Sequence, residues 1–336
     1  MKASFILSHR EAVVPAIAGH LPNGFALDFR GDAVAVAATS DRPIATLRRV
    51  YRHFVAERGR FSGNGADDLL LIEAGTPQAA AVAVHLGRRP ETFDGHLLIA
   101  SWLGWGLRIE NESLLHYYAS KLLRLRVAER WNPHTATLHA ASLRAPSGGG
   151  LLLIGEAAAG KTSLTLRLID DGFRYCADDT SCIRRGDLAC IPFPMAFVVR
   201  GDRATGVPRS PDLRRRAPDI ALLDESRWLV ERWDAIGTPF RPDALYFVGA
   251  DAQRRPGAAL PMREADAVLA LLRNLVMPLG ADADDFCTSP QNIDLACALA
   301  DNCRCAAVDT SDLDRAYAAI LSDYRAQAEP LERAAE

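Results

Sequence analysis

What this chain lacks narrows the field first. Its 336 residues contain no apolar run long enough to cross a membrane. The opening Met1-Lys2-Ala3-Ser4-Phe5-Ile6-Leu7 soon meets His9-Arg10-Glu11, and that apolar stretch is too short for a signal peptide. Neither sign of charge dominates. Lys and Arg number 39 against 42 Asp and Glu, a net charge of −3, so the electrostatic footprint of a nucleic-acid binder is missing. The seven cysteines are an odd number spread over a long chain, which does not suggest a disulfide framework. There is no internal repeat. These absences lead us to expect a cytoplasmic protein with no nucleic-acid partner and no membrane partner.

What is present is ordinary globular material, 49% hydrophobic and 24% charged. Residues 1–110 read as a mixed, strand-bearing region. Strands are predicted at Ala33–Ala37, Leu69–Glu73 and Leu97–Ser101, with a loop at Ser62-Gly63-Asn64-Gly65 and a weakly patterned helix over 43–58. A clearer helix covers Glu112–Trp131. Leu114, Leu115, Tyr118, Leu122, Leu123 and Leu125 recur on one side, and Arg124, Arg126, Glu129 and Arg130 form the expected wet side. Asn132-Pro133 ends it. The expected organisation is a smaller mixed α/β domain over 1–131, a second α/β domain over 132–326 and a fraying tail over 327–336. In the second domain, Pro146–Gly150 reads as a turn between strands. Ala244–Val248 and Arg304–Val308 read as strands and 264–275 as a helix. Ser311-Asp312-Leu313-Asp314 resembles a helix N-cap.

Residues 155–162 read Gly-Glu-Ala-Ala-Ala-Gly-Lys-Thr, the G-x-x-x-x-G-K-[ST] phosphate loop. The apolar run Leu151-Leu152-Leu153-Ile154 precedes it and a helical pattern follows. A buried strand thus feeds a glycine-flanked turn that opens a helix. Backbone N–H groups from Gly155, Glu156, Ala157, Ala158, Ala159, Gly160, Lys161, Thr162 and Ser163 would face a phosphate, aided by the helix dipole. Lys161 can reach the β- and γ-phosphates of ATP, and the Thr162 hydroxyl can ligate Mg²⁺.

Asp178-Asp179 is the second feature. A helix over 161–171, ended by Gly172, travels roughly 16 Å away from the loop. The strand-like run 173–177 returns roughly 17–20 Å. Both carboxylates should therefore come back beside the phosphate loop, where one can help hold Mg²⁺ and the other can accept a proton. A solvated turn is the plainer alternative. Other features have two readings as well. Cys297, Cys303 and Cys305 could suggest a metal, but without zinc-like spacing they read better as buried strand cysteines. Cys176 and Cys182 read as packing. Between 200 and 216, Arg200, Arg203, Arg209, Arg214, Arg215 and Arg216 face only Asp202 and Asp212, a loop that could clamp phosphate or an acidic peptide or could simply be solvated. Ile220-Ala221-Leu222-Leu223-Asp224-Glu225 looks like a Walker-B strand. That would make the chain a P-loop ATPase, with Asp224 on Mg²⁺ and Glu225 orienting water.

The quoted residues, with Leu138-His139-Ala140-Ala141 and Gly172–Asp179, resemble the catalytic domain of HPr kinase/phosphorylase and its related serine kinases. The likeness covers about residues 132–185 and extends weakly beyond. That family carries a His ahead of the loop strand, the loop itself, and an Asp-Asp pair one helix and one strand later. The resemblance implies a P-loop kinase domain of the HPr kinase C-terminal type that uses ATP and Mg²⁺. It would transfer the γ-phosphoryl group to a serine of a protein or peptide partner. It assigns Asp178 as general base, Asp179 with Thr162 to the metal, and His139 near the phosphates. A homo-oligomer is also compatible with it. Two departures stand out. Ala157-Ala158 replaces the usual Ser-Gly, and Val198-Val199-Arg200-Gly201 lacks the Glu of the signature that accompanies reverse phosphorolysis. The phosphorylase activity is therefore not carried over.

Overall fold

The fold was taken from a computed structural model, which describes residues 4–5, 21–56, 67–77, 80, 95–103, 105–109, 112–200, 220–224, 227–249, 257–278 and 281–335. It is a mixed α/β protein that divides into two compact units. One comprises Met1–Val127 with Leu222–Glu225, and the other Ala128–Ala221 with Ser226–Glu336. The division falls inside the helix Glu112–Trp131. Loop 62–65 and arginines 203–216 lie outside the described residues, as does Glu225.

In the first unit a six-stranded sheet has the order β1 (Ser4–Phe5), β6 (Trp105–Ile109), β5 (His96–Ala100), β4 (Asp68–Glu73), β3 (Asp32–Ala38), β2 (Asn23–Phe29). Only β3 and β4 pair in parallel. A parallel pair needs a crossover, and α1 (Asp41–Val50) lies within it. Pro43 is tolerated there because N–H groups of the first helical turn have no intrahelical acceptor, so no helix hydrogen bond is lost. The helix is shorter than the predicted 43–58. It stops at Tyr51, and a 3₁₀ turn over Arg52–Phe54 delivers Phe54 to Phe29, with ring centroids 4.9 Å apart. Arg126 corrects the expected wet side of α2 (Glu112–Trp131). Only 13% exposed, it pairs with Asp67 and covers the Trp102 ring, 5.6 Å from its centroid. Arginine's long stem and planar head make such burial feasible once a carboxylate neutralises it.

The second unit is a three-layer α/β/α arrangement. Its six-stranded sheet runs β10 (Arg174–Ala177), β8 (Ala140–Arg144), β9 (Gly150–Ile154), β16 (Ala244–Gly249), β18 (Arg304–Asp309), β17 (Ala259–Pro261). Strands β9, β16 and β18 are parallel, and β8 is antiparallel to both β9 and β10. Alternation explains the continuous apolar runs. Leu151, Leu153, Tyr246 and Val248 face α3 (Lys161–Asp170) and α7 (Leu313–Ala335). Leu152, Ile154, Leu245 and Phe247 face α4 (Glu264–Arg273) and α6 (Pro290–Asn302), which follows the short α5 (Ala283–Cys287). Parallel strands covered on both sides have no polar face. Strands β7 (Thr135–Leu138), β11 (Ser181–Arg184) and β12 (Cys190–Ile191) form a second, antiparallel sheet. β13 (Phe197–Arg200) and β15 (Arg227–Val230) pair antiparallel.

Three local expectations are refined. Strand β14 (Ile220–Asp224) is not in the phosphate-loop sheet, where β9 is flanked by β8 and β16. Asp312, not Ser311, caps α7. Its Oδ1 accepts from the N–H groups of Asp314 and Arg315, while the Ser311 hydroxyl donates to Asp309. Helix α4 ends at Arg273, so that Leu275 can bridge to Leu138. Cys176, Cys182, Cys303 and Cys305 are buried, and burial pushes the thiols of Cys303 and Cys305 up to about 12 and 11.

Candidate active site

Because β8 is antiparallel to both of its neighbours, β10 points the same way as β9. Their C-terminal ends therefore share one edge of the sheet, and Gly155 and Asp178 begin the segments that leave it. Helix α3 carries the chain out and Gly172, at φ +88°, turns it back. The N–H groups of Gly172 and Phe173 bond to the carbonyls of Ile169 and Leu168, the paired closure that ends many helices.

The loop is tight. A Cβ at Gly155 would sit 2.2 Å from the Val248 carbonyl oxygen, so only glycine lets β16 close on the loop strand. Gly160 adopts φ +91° and Ala158 φ +69°. Ala158 thus occupies a left-handed conformation that costs an L-residue about 1–2 kcal/mol. It is also one of the two positions where the chain departs from the Ser-Gly of the family it resembles. Glu156, Ala157 and Ala158 form the exposed lip, and Thr162 and Ser163 are half-buried on the first turn of α3.

Lys161 is buried. Its ammonium donates to the carbonyls of Gly155 (2.6 Å) and Glu156 (3.0 Å) and lies 3.0 Å from His139 Nε2. Burial lowers its pKa from the ordinary 10.5, and Asp179 and Asp178 pull it back up. An ammonium can only donate, so His139 Nε2 is the acceptor and the ring proton sits on Nδ1. Nδ1 lies 3.3 Å from Asp179 Oδ1, which is 3.9 Å from the Lys161 nitrogen. His139 is held there because it is the one residue between β7 and β8, with its N–H donated to the Asn274 carbonyl at 2.7 Å.

Thr162 Oγ1 donates to Asp178 Oδ2 at 2.9 Å. Asp178 is 7% exposed, whereas the Asp179 side chain is 37% exposed. Lys161, Thr162, His139, Asp178 and Asp179 thus converge as a single constellation. The hydrogen bonds divide the aspartates differently from the resemblance: Asp178 goes with the Thr162 hydroxyl, and Asp179 goes with His139 and Lys161. Among the described residues no group of three or more His, Cys, Asp or Glu side chains could hold a metal. Mg²⁺ does not need one. It is commonly held by one or two protein oxygens together with substrate phosphates, and adjacent Thr162 and Asp178 oxygens are donors of that hard type.

Sequence reasoning missed the turn Thr310–Leu313, which borders Gly160. A Cβ on Gly160 would come 2.7 Å from Leu313 Cδ2. The available signal was an aspartate ending a strand directly before a capped helix. No protein-family model and no curated protein sequence matches this chain. No described helix is long and apolar enough to cross a membrane.

Proposed function

We propose that the chain is a Mg-ATP-dependent phosphotransferase of the P-loop kinase type, acting on a hydroxyl group. Following the resemblance to HPr-kinase-related enzymes, that hydroxyl belongs to a serine of a protein or peptide. The observation that carries this reading is the convergence of Asp178 and Asp179 on the phosphate loop, with Thr162 bonded to one and His139 and Lys161 beside the other.

Each residue then has a chemical task. Loop N–H groups and Lys161 bind and orient the β- and γ-phosphates. Thr162 and Asp178 would hold Mg²⁺, which when bound neutralises charge on the phosphates. Asp179 is the more accessible carboxylate, so an incoming hydroxyl can meet it. As the hydroxyl oxygen bonds to the γ-phosphorus, the bond to the β–γ bridging oxygen breaks and the hydroxyl proton passes to Asp179. His139, through Nδ1–H, keeps that carboxylate aimed. This exchanges the roles that the resemblance implies for the two aspartates. The hydrolytic alternative, with Asp224 and Glu225 as a Walker B, draws no support from β14, which does not adjoin β9.

Transfer of labelled γ-phosphate to an acceptor in a lysate tests the reading. Lys161→Ala should abolish transfer and weaken nucleotide binding. Asp179→Asn should lose at least about 100-fold in transfer with an unchanged Mg²⁺ requirement, the scale of a lost general base. Asp178→Asn should raise the Mg²⁺ requirement. The opposite pattern between the two aspartates would restore the roles given by the resemblance. Phosphate release with no labelled acceptor would replace the kinase by a hydrolase.

A further inference from the structure

Helix α4 carries apolar residues where a surface helix normally meets water. Ala267 and Leu271 are buried and define its inner side. Successive helical side chains turn by about 100°, so Leu269, two residues from each of them, points the opposite way. It is 53% exposed, more than any other large apolar side chain among the described residues. The run from Ala267 to Leu272 is apolar throughout, so apolar groups pass right round the helix. Helices of that kind are ordinarily covered on both sides.

Beside Leu269 lies a groove of about 610 Å³, with Glu264, Ala265, Val268, Leu269 and Cys297 as its described lining. It runs between α4 and α6, which are antiparallel. The N–H of Met262, just before α4, donates to the carbonyl of Cys305, just after α6, at 2.9 Å. The Cys287 thiol, just ahead of α6, donates to the Leu272 carbonyl near the end of α4 at 3.6 Å. On α6, exposed Ile293 stands one turn from Cys297 and continues the apolar surface. Charge is confined to the ends of α4. Glu264 and Asp266 open the helix and Arg273 closes it. Arg263 occupies the Asp266 carboxylate at 2.7 and 3.0 Å. Glu264 and Arg273 are exposed, and among the described residues neither enters an ion pair.

We infer that two copies of this chain associate through the α4 face, about a twofold axis that passes at Leu269. Such a contact must be self-complementary, each feature meeting its counterpart on the other copy. Two antiparallel copies of α4 centred on Leu269 satisfy that condition. Each Leu269 enters the groove of the other copy. Arg273, four residues after Leu269, comes opposite Ala265, four residues before it. The small Ala265 side chain leaves room for the arginine stem, and the guanidinium can reach the neighbouring Glu264. A parallel pairing would instead set glutamate on glutamate and arginine on arginine. Exposed ion pairs add little affinity and mainly fix orientation, so the apolar surface supplies most of the attraction. The contact is independent of the phosphotransfer reading.

Sedimentation equilibrium of the full chain at micromolar concentrations tests this. The wild type should form a dimer. Leu269→Glu brings two carboxylates together on the axis and should weaken the dimer at least about 100-fold. Glu264→Arg and Arg273→Glu each set like charges face to face and should each weaken it about tenfold. The two combined restore opposite charges across the axis and should recover the wild-type constant. All three positions are exposed, and circular dichroism checks that each variant is folded. If Leu269→Glu fails to fold, the charge series alone decides. A wild type that stays monomeric overturns the inference. So does an association that a folded Leu269→Glu leaves intact, and so does a double variant that associates no better than the single ones.

Discussion

Lys161 shows how a single residue's surroundings set its working range. Burial lowers its pKa below 10.5, and the nearby Asp179 and Asp178 oppose that shift, while His139 Nε2 accepts a hydrogen bond from its ammonium. The sign follows directly. A lysine with a depressed pKa loses its charge earlier as pH rises, so phosphate binding is full below that pKa and fades through it, before 10.5. Asp179→Asn removes an attraction that retains the proton. Its Mg-ATP binding curve should therefore fall at a lower pH than that of the wild type, as a titration of binding against pH would show; an unmoved alkaline limb would contradict the coupling. Ala158 makes a second case. The loop motif was legible in the sequence, but the strain was not, because a motif specifies residue types and not φ. At +69° a glycine is at ease, so Ala158→Gly should gain up to about 1 kcal/mol once glycine's larger unfolded-state entropy is deducted. A denaturant midpoint that falls instead would show that the methyl group contributes more than the strain costs.

Elements were legible where one physical cause dominated. Helix Glu112–Trp131 followed from its apolar spacing, and the return of Asp178-Asp179 to the loop followed from the lengths of α3 and β10. Membership was harder to read. Ile220–Asp224 has the composition of a central strand, yet β9 has other neighbours, and nothing local encodes which strands pair. Arg126 likewise appears solvated by type, and only the distant Asp67 and Trp102 make its burial affordable. The turn feeding β9 shows an element set by close approach. A Cβ at Gly150 would lie 2.3 Å from the Leu143 carbonyl and 2.4 Å from the Phe240 ring. The carbonyl of the same glycine accepts from the Asp243 N–H at 2.9 Å, and its N–H donates to the Asp243 carboxylate at 3.2 Å, which also accepts from the Tyr324 hydroxyl. Gly150→Ala must push backbone apart, at a cost of about 2–3 kcal/mol. Chemical denaturation should show that loss as a lower midpoint with an unchanged slope, and a loss below about 0.5 kcal/mol would mean that the strand shifts freely.

At the scale of the whole molecule, every residue assigned to the site belongs to one of the two compact units, that of Ala128–Ala221 and Ser226–Glu336. A ligand that binds only the folded form of a unit stabilises that unit through mass action. With ligand at 100 times its dissociation constant the gain is about 2.7 kcal/mol. A chain of several units need not unfold in one step, so calorimetry can separate the two. We expect Mg-ATP to raise one transition by several degrees and leave the other in place, and to move neither transition in Lys161→Ala. Equal movement of both transitions would mean that the units unfold as one cooperative body. A shift that persists in Lys161→Ala would mean that the nucleotide binds somewhere other than the loop at 155–162.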